Sequence, residues 1–430
     1  MEGLLIFIAA AVALCVGLPI AFVILGAVAL LVWSDPFVNF TAVPSLLVQG
    51  MDSFILLAIP LFVLVGVIMN SGGITDRLLE LAIVLVGHFR AGIAQVNILA
   101  SIIFSGMSGT STSDVAGLGR VEIPMMIREG FRPETAAVVT AVSATIGPIT
   151  PPSVPFILYG ALTGVSIGQL FMGGVIPGLM LGGWLMVVVW MLARTGRISS
   201  AQLRPRGPTL AEVLTATRRS AWALLTPVLL IGGITSGIVT PTETAGVALV
   251  YAILIVRFVY RAATLRQIFQ MFCEAAEAVG VIMLIVAAAN AFGWLMTQAG
   301  TADAILDVVK SSGLGPTTTL VLLNVALLIL GMFIEATSMI IMLSPILLPI
   351  VVQTGIDPVH FGVVFVLNMM IAVITPPIGI CGLIASDIAG VSMQRFAREA
   401  LPYIAAMIAF MFFILFVPGF VTWLPRLVFP

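Results

Sequence analysis

An all-α, polytopic membrane protein is the fold class that the sequence predicts, and three observations predict it. Of 430 residues 60% are hydrophobic. Only 9% are charged, against about 25% in soluble domains. The mean hydropathy of +1.22 leaves too little polar surface to wet one globular domain of this length. Third, helix-breaking Gly and Pro motifs recur at a fixed internal spacing, as described below. At about 20 apolar residues per span the composition allows at most about 13 crossings.

Composition also excludes other classes. Cys15, Cys273 and Cys381 lie in apolar runs, with no CxxC pair and no histidine at metal spacing, so neither a disulfide framework nor a zinc site is expected. A net charge of −1 argues against nucleic acid as a partner. The run Gly3–Trp33 is longer than a signal h-region, and no basic residue precedes Arg77; it reads as a retained first span. The histidines, His88 and His360, sit at ends of apolar runs and read as interfacial.

One polar interruption divides the chain. Residues 193–220 carry Arg194, Arg197, Arg204, Arg206, Arg218 and Arg219 against Glu212 alone, so the positive-inside rule makes this linker cytoplasmic. Two apolar runs joined at Val239–Thr242 then return the chain to Arg257, Arg261 and Arg266 on the same side. No connection is long enough for a soluble domain, so a ligand-capturing module would be a separate polypeptide.

Residues 106–152 align without gaps on 331–377 at an offset of 225, with 15 of 47 positions identical, including Gly106/Gly331, Pro124/Pro349, Gly130/Gly355, Pro133/Pro358 and Thr150-Pro151-Pro152/Thr375-Pro376-Pro377. Upstream, Gly66, Met69, Gly73 and Asp76 meet Gly293, Met296, Gly300 and Asp303 at an offset of 227. Two copies of one unit are therefore expected, 1–192 and 221–430, separated by the linker. The matched connectors differ in charge: one holds Arg128 and Arg132, the other Gln353 and Asp357 with no Lys or Arg. The copies should then be inverted, an arrangement characteristic of secondary transporters.

Each copy has two polar breaks. Ser105–Asp114 and Gly331–Ser338 suit the tips of re-entrant hairpins, over about 92–127 and about 317–352. The Thr-Pro-Pro segments interrupt helices over about 137–160 and about 362–385. Proline removes an amide donor and frees the carbonyl four residues earlier, here around Gly147 and Ala372. Such carbonyls with Ser and Thr hydroxyls suit Na⁺, while half-helix N-termini suit an anion.

The strings IPLFVLVGVIMNSGGITDRL, FSGMSGTSTSDVAGLG, IGPITPPSVPFILYG, LFMGGVIPGLM, GGITSGIVTPTETAGVALVYA and NMMIAVITPPIGI resemble the large membrane subunit of tripartite ATP-independent periplasmic (TRAP) transporters. The resemblance runs in one order from about residue 15 to the C-terminus. It implies an elevator in the bacterial inner membrane, with about 11 spans plus two hairpins. It further implies a small four-helix membrane subunit, a periplasmic binding protein that delivers an organic acid such as a C4-dicarboxylate, and Na⁺ as the coupling ion with no other cofactor.

Carried over by residue, the resemblance implies a first Na⁺ site at Ser105, Ser108, Gly147, Thr150 and Pro152, and a second at Gly331, Ala372, Thr375 and Ile378. Substrate is implied near Thr110, Ser111, Asp114 and Ser153. Ala372 stands where a Gly is usual, and Cys381-Gly382 where a polar residue followed by Leu is more common.

Structural roles compete for several residues. Asp114 could cap the second hairpin arm, and Glu335 the same at the other tip. Glu243 reads as a carboxylate complementing a helix N-terminus, and Asp76 and Asp303 as N-caps. The alternative function is a stand-alone Na⁺- or H⁺-coupled anion carrier of the same architecture. Gly106-Met107-Ser108-Gly109 also matches the GxSG string of intramembrane serine proteases, but that chemistry needs a histidine base at the same depth, so no enzyme is expected.

Overall fold

The computed structural model describes residues 18–34, 41–71, 74–199, 201–204, 206–298 and 313–429, with Ala13 and Ser311. Cys15, Gly73, Gly300, Asp303 and Lys310 lie outside the described residues, as does most of the expected first span before Leu18. The described residues form nineteen α-helices and no strand.

In chain order α1 is Ile20–Ser34, α2 Ala42–Met51, α3 Ala58–Ser71, α4 Ile74–Val86 and α5 Gly92–Ser108. The short α6 (Ser111–Gly117) and α7 (Gly119–Arg128) follow, then α8 (Pro133–Ser143), α9 (Val154–Thr163) and α10 (Ile167–Arg194). After the linker come α11 (Leu210–Thr235), α12 (Pro241–Leu254) and α13 (Leu265–Gln298). The remainder is α14 (Pro316–Gly331), α15 (Ala336–Gln353), α16 (Pro358–Ala372), α17 (Ile380–Ala389), α18 (Met393–Phe416) and α19 (Gly419–Val428).

Local chemistry sets these starts. Thr209 and Glu212 form a capping box on α11, and Thr240 and Glu243 form another on α12, with Glu243 accepting from the Thr240 N–H at 2.7 Å. Glu243 is thus the helix-start carboxylate expected of it. Pro133 and Pro358 occupy the first positions of α8 and α16, where the missing N–H costs nothing. This moves the start of α8 four residues ahead of the 137 read from the sequence. Asp76 lies within the first turn of α4 rather than at its N-cap, because the helix already begins at Ile74.

Five helices among the described residues are long and apolar enough to cross a bilayer: α10, α12 with the π-turn that extends it to Val259, α13, α15 and α18. The α2 helix and the Phe54–Asn70 segment, bent by 52°, would make a sixth. The other apolar helices, among them α5, α9, α14, α16 and α17, are shorter. They are short because Gly and Pro interrupt them, and α15 reaches crossing length despite its assignment to a hairpin arm.

Helix boundaries repeat at the offset of 225: α6 starts at 111 and α15 at 336, α7 ends at 128 and α15 at 353, and α8 and α16 start at 133 and 358. Contacts are exchanged between the matched elements. The α6 helix packs on α17, while α9 packs on α15. The two connectors lie towards opposite ends of α18. Arg132 reaches Glu399 near the start of that helix, at 3.1 Å, whereas His360 bonds the Ile414 carbonyl near its end, at 3.1 Å. Fifteen residues of helix separate these contacts, about 22 Å along the axis.

The arginine-rich linker is held in place. Gly92 N donates to the Ala201 carbonyl at 2.9 Å, and Leu203 N and Arg204 N donate to the Gly87 carbonyl at 3.0 and 3.2 Å. Arg132 also donates to the Arg197 carbonyl, and Arg395 faces Glu134 at 3.5 Å. The linker, the first connector and the start of α18 therefore share one end of the molecule. Tyr260 belongs there too, since it lies beneath Arg77, whose carbonyl accepts from Ser220.

Long helices pass close to the breaks. A Cβ at Gly174 of α10 would strike the Ile149 carbonyl and the Phe156 ring, whereas one at Gly183 would meet nothing within 4 Å. Gly174→Ala is expected to lower the melting temperature in detergent by several degrees through overpacking against backbone. Gly183→Ala should leave it unchanged or slightly raised, and thermal unfolding of the two variants side by side checks this.

Candidate ion and substrate site at the helix breaks

The chain leaves α5 at Ser108 through Gly109, whose φ of 66° is left-handed, and Thr110 is extended before α6. Glycine is required here twice over, because a Cβ would also lie 2.6 Å from the Pro152 carbonyl. The same tip is tied to the Thr-Pro-Pro break, for the Gly109 carbonyl accepts from Val154 N at 3.2 Å. Beyond the tip, Asn70 of α3 donates to the Ser113 carbonyl at 3.4 Å.

The first break runs as a single 3₁₀ turn, Ala144–Ile146, followed by turns to Ser153. Gly147 has no backbone donor on its carbonyl among the described residues, since the residue four positions on is Pro151. Ser153 caps α9, accepting from Phe156 N at 3.2 Å while its hydroxyl donates to the Pro148 carbonyl. Thr150 donates to the Ile146 carbonyl at 3.1 Å, and its matched residue Thr375 does the same to Ile371 at 2.6 Å. Both Pro–Pro bonds are cis.

Of the residues expected to bind ion or substrate, Asp114 is brought against Gly147 and Ser108. Asp114 lies on Gly147, where an added Cβ would stand 2.6 Å from its Oδ2. The Ser108 backbone is approached by Gly66, whose Cβ would lie 3.1 Å from it. Ser105 is fully buried and spends its hydroxyl on the Ile102 carbonyl at 2.6 Å. At the second site Gly331 abuts Ala372, its added Cβ falling 2.6 Å from the alanine Cβ. The Ala372 carbonyl is not left free as expected: the Thr375 N–H turns back to it at 3.0 Å. It keeps a second lone pair for a further ligand.

The two breaks differ in exposure. Residues 144–153 are buried throughout, whereas Pro377 is exposed and Thr375 and Ile378 are half-buried.

Burial sorts the carboxylates. Glu335 caps α15, accepting from Thr337 N, Ser338 N and Ser338 Oγ at 2.9 Å each. That is a structural role, and its matched residue Thr110 makes no such bond. Asp114 is 1% exposed, with the Ser108 hydroxyl beside it as its one hydrogen-bonding neighbour, and neither group has a further partner among the described residues. Asp114 does not cap the arm: it sits in the fourth position of α6, past the free N–H groups. An ionisable group buried in this way costs several kcal/mol unless a ligand or proton compensates it.

Three features went unread in the sequence. Glu122 of α7 is as buried as Asp114, at 1%, with both oxygens unpartnered; its acidity in an apolar arm was the available signal. Cys381 faces Ser111 and lies within electrostatic reach of both Asp114 and Glu335, a position no spacing rule supplies. Buried amides brace each hairpin: Asn97 donates to Thr140 at 2.7 Å and accepts from Ser143 at 2.6 Å, and Asn368 donates to the Asn324 carbonyl at 2.7 Å. Of the histidines, His360 is buried and bonds the Ile414 carbonyl, and His88 lies tilted against Phe89 with ring centroids 4.3 Å apart.

A multi-pass helical membrane protein whose broken helices meet around unpartnered polar groups has the form of a transporter. The chain belongs to the family described as the DctM component of tripartite ATP-independent periplasmic transporters, matched over residues 6–420. It is 37% identical to the 2,3-diketo-L-gulonate TRAP transporter large permease protein YiaN of Escherichia coli, covering 95% of each chain. It is 38% identical to the sialic acid TRAP transporter permease protein SiaT of Haemophilus influenzae over 89% of this chain, and spans 62% of that longer protein. In fold it is similar to the YdaH transporter of Alcanivorax borkumensis, with a TM-score of 0.65 over 89% of this chain and 88% of the other, at 14% identity.

The two tip carboxylates predict opposite phenotypes. Asp114→Asn should fold and insert normally but abolish uptake in reconstituted vesicles. Glu335→Gln should keep partial uptake while losing about 1 kcal/mol of stability with its cap, read as a lower melting temperature in detergent. Failure of Asp114→Asn to accumulate in the membrane would return that residue to a structural role.

Proposed function

We propose that this chain is the large membrane subunit of a TRAP transporter that takes up an organic acid by Na⁺ symport. The observation that carries the reading is the first tip lying against the first Thr-Pro-Pro break, where Asp114 is buried against Gly147 with only the Ser108 hydroxyl beside it. The donor set suits a hard cation: hydroxyls of Ser108, Thr150 and Thr375 with carbonyls from Gly147 and Ala372. Ser105, Pro152, Gly331 and Ile378 complete the two sets. Thr110, Ser111, Asp114 and Ser153 lie between them, where the N-termini of α6 and α9 present backbone N–H groups to an anion.

The inverted-repeat reading is supported by connectors towards opposite ends of α18 and by the exchanged packing of α6 on α17 and α9 on α15. The arginines gathered at the linker end mark it as cytoplasmic, which suits a bacterial inner membrane. Alternating access would come from an elevator movement of the hairpins and broken helices against the long helices. About eleven crossings in all fit this scheme once the short helices pair across their breaks. A small four-helix subunit would hold the outer helices, and a periplasmic binding protein would deliver the acid. C4-dicarboxylates and sugar acids are the substrate classes to try first, the latter because the relatives are named for diketogulonate and sialic acid.

Reconstitution with both partner subunits tests this. Uptake should require an inward Na⁺ gradient, and Ser108→Ala and Thr375→Ala should each raise the Na⁺ concentration for half-maximal uptake. The ligation scheme fails if that concentration is unchanged in both variants.

A further inference from the structure

We propose that the linker end of the molecule holds a phosphate-anion site formed by Arg132, Arg197, Arg398 and Tyr403. These residues line a recess of about 340 Å³ between the end of α10, the start of the linker and the first turns of α18. Three guanidinium groups face it against one carboxylate, Glu399, which is already engaged by Arg132 and by the Thr135 hydroxyl at 2.8 Å. Arg197 and Arg398 have no ion-pair partner among the described residues. The charge of the recess is therefore uncompensated by two units.

A second observation points independently to a ligand. Tyr403 lines the recess and is 1% exposed, and its hydroxyl has no hydrogen-bond partner among the described residues. A buried hydroxyl left unpaired is destabilising, and an anion oxygen reaching it would relieve it. Planar guanidinium forks plus one O–H donor match the oxygens of a phosphate ester better than a single carboxylate. The remaining wall is apolar, with Leu192 and Ile198, and both helices are long enough to cross the bilayer. The recess thus opens where a phospholipid headgroup lies with its acyl chains along α10 and α18. Basic pockets between spans on the cytoplasmic side are suited to anionic headgroups.

The site ties three parts together, since Arg132 belongs to the first connector, Arg197 to the linker and Arg398 to α18. A bound phosphate would brace the elements that Arg132 and Glu399 already bridge.

Delipidated full-length protein titrated with dioleoyl-phosphatidylglycerol or dioleoyl-phosphatidylcholine and followed by native mass spectrometry provides the test, with inorganic phosphate in a parallel thermal-unfolding arm. Phosphatidylglycerol is expected to bind wild type about twenty-five-fold more tightly than the Arg197→Gln/Arg398→Gln variant, near fivefold per arginine. Phosphatidylcholine should not distinguish the two proteins. Tyr403→Phe should weaken phosphatidylglycerol binding while the unliganded melting temperature stays unchanged or rises. Protection of wild type alone by inorganic phosphate, without a phosphatidylglycerol preference, would assign the site to a soluble phosphate. Equal binding of both probes to wild type and the double variant would overturn the proposal.

Discussion

A backbone N–H or carbonyl that lacks a helical partner must find another in a low-dielectric interior, and the centre of this protein depends on that constraint. Two prolines in each copy remove donors, in the first copy where the chain is buried throughout and in the second where Pro377 is exposed. Most of the freed carbonyls are answered locally, Pro148 by the Ser153 hydroxyl, Ala372 by Thr375 N and Val373 by Cys381 N. The tip of one hairpin is locked to the neighbouring break by the Gly109 carbonyl and Val154 N. What these bonds leave over, chiefly the Gly147 carbonyl, Ser108 Oγ and the Asp114 carboxylate, is concentrated in one small volume.

The copies meet the constraint in different ways. Glu335 saturates the free N–H groups at the start of α15, so the second tip is neutralised from within. Thr110, at the same position in the first copy, makes no cap, and the acidic residue instead appears as Asp114, directed at Gly147. Symmetry of backbone is therefore kept while symmetry of charge is broken. One tip is a closed structural unit, and the other has an open valence.

Much of this was legible in the residues themselves. The offset of 225 paired positions that prove to be helix starts, 111 and 133 against 336 and 358, although the sequence pattern places the starts of the broken helices near 137 and 362. The Arg-rich linker gave an expected sidedness, since charge cannot hide in hydrocarbon, and its arginines gather with the first connector at one end of the molecule. The roles of Asp114 and Glu335 stayed open, because capping depends on whether a carboxylate falls before or within the first turn, a matter of one or two residues that no pattern resolves. Glu122 was missed for a related reason: an acidic residue in an apolar arm can face either lipid headgroups or the core, and only packing against α8 and α17 buries it. Span counting by apolar content also blurred the distinction between a helix that crosses and one that is broken, which is why α15 reaches crossing length within an expected hairpin arm.

The linker's attachment has a mechanical consequence. Fifteen residues separate Arg194 from Leu210, enough contour to reach about 50 Å if drawn out. Three backbone bonds instead fold that contour against the corner between α4 and α5. Any displacement of α5 relative to α11 must carry the linker along or peel those bonds apart one after another. The segment thus behaves as a tether with a set stroke: compliant until its stored length is spent, and stiff beyond it.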